Sequence, residues 1–233
     1  MKKYIFIIAS LLIYSCNNGK IVKEYYRDGS LKSETLIVNG LKNGTAKQYY
    51  NNGQLFYICH YKNDTMFGPY QEYAPSGKLK SSAFFWRDRP VGPIYYNFND
   101  GSLELYNERD YDSAVYYIKK YDTLGKLIKE EGVCISPSIV ENIKNDSIKV
   151  NSNYNARFFY AEPNGYSNFI KAYYNNAPMN ISFTDAHMGI IEAHINKPGW
   201  FTIRISSILK DSSNNLLDSN SIFIKKYAFD ASR

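Results

Sequence analysis

The chain has 233 residues, 28 Lys plus Arg against 22 Asp plus Glu, and a formal net charge of +6. That excess is mild and no Lys/Arg-rich run accompanies it, so no nucleic-acid partner is expected. Tyr is the compositional outlier, with 23 residues beside 13 Phe, which suits sheets whose large cross-strand pairs lie half wet.

Residues 1–15 read as a lipoprotein signal peptide. Lys2 and Lys3 form a positive start, and Tyr4 to Tyr14 is apolar but too short for a bilayer-spanning helix. Ile13-Tyr14-Ser15-Cys16 resembles a bacterial lipobox. The resemblance implies cleavage before Cys16 and lipidation of Cys16, and several acyl chains anchor stably where one is reversible. The expected place is the cell envelope, with the membrane reached through the lipid anchor, on the outer membrane and facing the periplasm or the surface. Cleavage removes two Lys and no acid, so the formal charge falls to +4. Residues 16–22 read as a tether.

Residues 23–133 repeat one pattern five times. Gly29, Gly53, Gly77, Gly101 and Gly125 follow at steps of 24 residues, each with Leu two positions on: Leu31, Leu55, Leu79, Leu103 and Leu127. Gly44, Gly68 and Gly92 keep the same step. A fixed period in this range marks stacked supersecondary units. Asp-Gly, Asn-Gly and Ser-Gly are turn dipeptides, and the runs between them are aromatic and of strand length. Each period is therefore expected to be a β-hairpin with its connection. The second glycine is expected to end a polar loop.

The five leucines are expected to form the repeat core as a ladder on one face. Thr35, Cys59, Ala83 and Asn107, four residues further on, are expected to share it. Lys32, Phe56, Lys80, Glu104 and Ile128 fall on the other, wetter face. Phe56 and Tyr61 are the candidate binding face.

Tyr25-Tyr26-Arg27-Asp28-Gly29-Ser30-Leu31 and Tyr49-Tyr50-Asn51-Asn52-Gly53-Gln54-Leu55 resemble the variant MORN repeats of bacterial proteins. Later copies depart: Tyr73-Ala74, Asn97-Phe98, Tyr121-Asp122, and Tyr116 where the next second glycine is due. The resemblance implies an elongated hairpin sheet that binds a protein or an envelope component. It also implies an alternative, an antitoxin-like or inhibitor role toward a neighbouring effector. It carries over no catalytic residue.

Pro137 is expected to stop any strand continuing out of the repeats. Residues 138–233 lose the period and show about seven short strands separated by turn clusters, the pattern of a β-sandwich. Lys197-Pro198-Gly199-Trp200-Phe201-Thr202-Ile203 resembles a late strand of bacterial immunoglobulin-like domains. The fold class expected is all-β throughout.

The chemistry-bearing residues are sparse. Asp185, His187, Glu192 and His194 fall in one stretch, but His187 and His194 are seven apart and would face opposite sides of one strand. No H-E-x-x-H, C-x-x-C, G-x-S-x-G or clustered phosphate-binding glycines occur. No metal, no cofactor and no catalytic residue are expected, and the chain reads as non-enzymatic. Cys59 and Cys134 are read as small buried residues rather than a disulfide.

Overall fold

The computed structural model describes residues 19–142, 146–184 and 186–230. The expected signal peptide and Cys16 lie outside the described residues, as does Asp185. The fold is all-β, with no helix among the described residues. Strands β1 (Lys20–Tyr25), β2 (Leu31–Val38), β3 (Leu41–Tyr49), β4 (Leu55–Lys62) and β5 (Thr65–Met66) open the chain. Then come β6 (Gly68–Tyr73), β7 (Leu79–Trp86), β8 (Arg89–Asn97), β9 (Leu103–Arg109), β10 (Val115–Tyr121) and β11 (Leu127–Gly132). They form one antiparallel sheet in chain order, with β5 paired only to β4.

Two kinds of turn alternate. At the first, the Tyr26 N–H donates to the Ser30 carbonyl and the Gly29 N–H to the Tyr26 carbonyl, and the bonds recur at 50–54, 74–78, 98–102 and 122–126. The glycine there takes a φ between 77° and 94° in all five copies, a region that L side chains reach at a cost. At the second, both central residues are left-handed: Asn39-Gly40, Asn63-Asp64 and Arg87-Asp88. This is the two-residue hairpin turn that matches strand twist. Gly44, Gly68 and Gly92 therefore do not end loops. They lie within or at the start of strands, at φ 111°, 117° and 67°.

Neighbouring second turns are tied together. The Lys42 N–H donates to Asp64 Oδ1 at 2.7 Å, and the Asp64 N–H donates to the Lys42 carbonyl. Met66 and Asp88 repeat the exchange one period later.

The expected shared face is corrected by a bulge. Tyr25 opposes Leu31 and Glu24 opposes Ser33, leaving Lys32 unpaired. The same shift follows Leu55, Leu79, Leu103 and Leu127. An extra residue inverts the alternation of side chains. Each leucine thus shares a face with its opposing residue, Tyr25, Tyr49, Tyr73, Asn97 or Tyr121. Thr35, Cys59, Ala83 and Asn107 face the other way. The leucines are half-buried and Leu127 is exposed, because a single-layer sheet has no second layer to cover them.

The second domain is a β-sandwich. One sheet joins β12 (Ile135–Glu141), β14 (Ser152–Tyr160), β18 (Met188–Ile195) and β17 (Ile181–Thr184). The other joins β13 (Ser147–Lys149), β20 (Leu216–Phe229), β19 (Gly199–Asp211), β15 (Tyr166–Tyr174) and β16 (Ala177–Met179). Tyr154, Ala156, Phe158, Ile191 and Ile195 of the first meet Phe201, Ile203, Ile205 and Ile224 of the second in a dry core. β12 runs through Pro137, against expectation. It is an edge strand and its register slips between Ile135 and Ile139, so the missing N–H costs no ladder bond.

The late repeats dock on this sandwich. Val91, Tyr106, Tyr116 and Tyr117 form one core with Cys134, Phe159, Met188 and Leu209. Gly92 sits at the contact, where a Cβ would stand 2.2 Å from the Ala186 carbonyl oxygen. Backbone cannot yield as a side-chain tip can, and the φ is already left-handed. Gly92→Ala is expected to lower the stability by about 2–3 kcal/mol. Gly101→Ala, in an open turn with nothing within 4 Å of the added carbon, is expected to cost about 1 kcal/mol. Urea unfolding of the two variants beside the parent measures both; equal losses would mean that Gly92 is not a docking constraint.

Candidate binding face on the repeat sheet

The face opposite the leucines is hollowed because its central residues are small. Register places Ser33 and Thr35 of β2, Ala46 of β3, Cys59 of β4, and Ser81 and Ala83 of β7 along it. Aromatic rings rise between them. Tyr57 and Tyr61 come from β4, Tyr70 from β6, Phe85 from β7 and Tyr96 from β8.

Two hollows result. One of about 330 Å³ is lined by Val22, Glu24, Thr35, Ala46, Tyr57 and Tyr61. Another of about 300 Å³ is lined by Tyr70, Ala83, Phe85, Ile94, Tyr96 and Arg109. Tyr57 and Tyr70 stand between them, stacked with centroids 5.9 Å apart. Tyr70 also meets Phe85 at 5.4 Å. Small side chains give the depth and rigid rings give the walls, which fits the amphipathic contact area that binding surfaces use. Charge lines both hollows as well, with Glu24, Lys32, Lys42 and Lys47 on the first and Glu72 and Arg109 on the second. Glu72 is bonded by Lys80 Nζ at 2.7 Å, and Lys42 Nζ lies 4.9 Å from the Tyr61 ring.

Of the two expected face residues, Tyr61 lines a hollow and Phe56 lines neither. Tyr61 lines the first hollow, and burial together with Cys59 pushes its hydroxyl up to about 12. Phe56 is the unpaired residue of its bulge, edge-on to Tyr57 at 5.4 Å and 4.8 Å from Tyr50. Cys59 is wholly buried and free, and burial pushes its thiol up. Cys134 is likewise buried and free, hydrogen-bonded with Ser207.

The histidines part company. His194 is exposed, with Nδ1 2.9 Å from Asn153 Oδ1. His187 turns to the domain contact, where its Nδ1 lies 2.6 Å from Glu108 Oε1. Glu108 is 0 % exposed, the Tyr106 hydroxyl donates to it, and the Tyr160 ring stacks on the imidazole at 5.4 Å. The partners are 79 residues apart, so no local motif announced the pair. The only sequence hint is the loss of the repeat's second glycine at Tyr116, which is buried in the same contact.

The family model for the MORN repeat variant matches residues 18–39, 42–63 and 68–87. The N-terminal part of this sheet carries three MORN-variant repeats. The third matched copy already packs Phe84 and Trp86 against the docking core, and the diverged copies carry Tyr106, Glu108, Tyr116 and Tyr117 into it. No curated protein matches the chain. Among solved structures, the fibronectin(III)-like modules of Clostridium thermocellum CbhA share 13% identity, with 76% of this chain and 86% of that one covered and a TM-score of 0.28. A polysaccharide lyase shares 8% identity at a TM-score of 0.29, and 91% of this chain spans 46% of its length. At these values neither likeness bears on function.

Burial raises the pKa of Glu108, against the bonds from His187 and Tyr106. For His187 burial pulls the other way, and the hydrogen bond and charge of Glu108 outweigh it, so its pKa is also raised. The pair holds its proton to higher pH than either group in water. The folded chain then binds more protons than the unfolded one, and stability falls as pH rises above the ordinary values of 4.5 and 6.5. Urea midpoints are expected to drop between about pH 5 and 8, and Glu108→Gln is expected to flatten that slope. His187→Ala leaves Glu108 buried without its partner and is expected to cost about 3 kcal/mol at neutral pH. A parent midpoint unchanged across that range would show that the pair does not govern docking.

Proposed function

We propose that the chain is a non-catalytic binding protein of the cell envelope, anchored through Cys16, whose hollowed repeat face holds an extended segment of a protein or envelope component. The observation that carries this reading is the pair of hollows on one face, walled by Tyr57, Tyr61, Tyr70, Phe85 and Tyr96. They follow one another across the hairpins, so a ligand lying across the strands meets a small floor and a ring in each repeat. Stacked repeats present such long surfaces because each adds one increment to the same face. Rings with few rotamers lose little entropy when a partner covers them.

A photo-crosslinking side chain placed at Gln48 or Tyr96 on this face is expected to capture one partner in envelope preparations. The same group at Lys23, whose register position is on the leucine side, is expected to capture none. Tyr57→Ala with Tyr70→Ala should cut the yield at Gln48 at least tenfold. Equal capture from both sides, or none from either, would remove the assignment.

The anchor is tested separately. Intact mass and membrane fractionation of the parent should show the lipid-bearing mass in membranes, while Cys16→Ala should lack it. A parent of unmodified mass in the soluble fraction would withdraw the envelope reading and leave the hollowed face to a partner elsewhere.

A further inference from the structure

The outer face of the five-stranded sandwich sheet combines exposed rings with unopposed positive charge. Register fixes which side chains point outward. They are Phe169, Lys171 and Tyr173 on β15; Trp200, Thr202, Arg204, Ser206, Ile208 and Lys210 on β19; and Ser219, Ser221, Phe223, Lys225, Tyr227 and Phe229 on β20. On β13, Ser147 and Lys149 join them. Trp200, Phe223 and Phe169 are 63 %, 66 % and 53 % exposed. The face is therefore neither covered by the repeat sheet nor folded into the core.

Its charge has one sign. Lys149, Lys171, Arg204, Lys210 and Lys225 all project from it, and none of these outward positions holds Asp or Glu. The cations sit among the rings. Arg204 lies 4.4 Å from the Tyr173 centroid, Lys225 4.9 Å from Trp200 and Lys210 5.6 Å from Phe169. Trp200 and Tyr227 meet edge-on at 5.3 Å.

We propose that this face docks on an anionic phospholipid surface. Rings and aliphatic tips such as Ile208 suit the boundary between headgroups and acyl chains. Lysine and arginine beside them suit the lipid phosphates. A polysaccharide is the weaker match, because sugar hydroxyls need Asn, Gln, Asp or Glu beside the rings. Although Asn175 and Asn196 line a hollow with Trp200, the outward strand positions beside Phe169, Tyr173 and Phe223 offer only Ser and Thr with the cations. The proposal stands apart from the reading of the repeat face, since it rests on another domain.

The test uses the full chain with Cys16→Ala in every arm, so that acylation cannot supply the affinity. Vesicles of phosphatidylcholine with phosphatidylglycerol are sedimented with the protein, against phosphatidylcholine alone. Binding is expected to the anionic vesicles, with a blue shift in tryptophan emission that Trp200→Phe abolishes and Trp86→Phe retains. Arg204→Gln with Lys225→Gln is expected to lower the partition about 30-fold, and Lys171→Gln with Lys210→Gln similarly. Both pairs point outward, and an unchanged urea midpoint confirms that each variant is folded. Equal binding to neutral vesicles would overturn the proposal. So would full binding by both folded charge variants, or binding to polygalacturonate in the absence of binding to anionic vesicles.

Discussion

A β-sheet one layer thick has no interior, and the repeat sheet meets that constraint in two ways. Where it stands alone, the bulge in each hairpin divides the labour between its faces. Leucines and opposing tyrosines are half-covered on one side, while small residues and rings form hollows on the other. Where the sheet reaches the sandwich, it borrows a second layer. Val91, Tyr106 and Tyr117 are buried against Phe159, Met188 and Leu209, and each such ring or branched chain contributes roughly 1.5–3 kcal/mol by leaving water.

This contact also explains why the repeats decay in sequence. The first copies stack only on their neighbours, a demand that the turn and the ladder meet. Later copies must also fit the sandwich. Tyr116 replaces the expected glycine because a buried ring is needed there, and Glu108 is tolerated at 0 % exposure because His187 and Tyr106 bond it. A buried carboxyl without such partners would be strongly destabilising. The divergence is thus the signature of a second packing demand within one periodic frame.

Much of the architecture was legible from the residues. The period, the turn glycines and the two all-β domains follow from spacing and from turn chemistry. The faces did not follow. A bulge adds one unpaired residue without any local mark in composition, so Leu31 and Thr35 look like facemates until pairing is known. The second turn was misplaced for a related reason. Asn63-Asp64 and Arg87-Asp88 lack glycine, yet both residues of each pair take positive φ, and the conspicuous Gly68 and Gly92 drew the boundary a few positions too late. Contacts across 79 residues, such as Glu108 with His187, lie beyond any local pattern.

The paired bonds between neighbouring second turns have a mechanical side. Asp64 grips Lys42, and Asp88 grips Met66, in each case one repeat back. The load on any hairpin is shared with the next one only, since the sheet runs in chain order with no crossover. Tension entering at β1 therefore meets two like latches in turn, at Asp64 and then at Asp88, before it reaches the docked hairpins. Each latch that opens frees 24 residues, roughly 80 Å of extended chain, and the sandwich at the far end stays folded while the earlier latches give way. The chain-order pairing thus orders any extension from the N-terminal end hairpin by hairpin, with the length gained set by how many hairpins have let go.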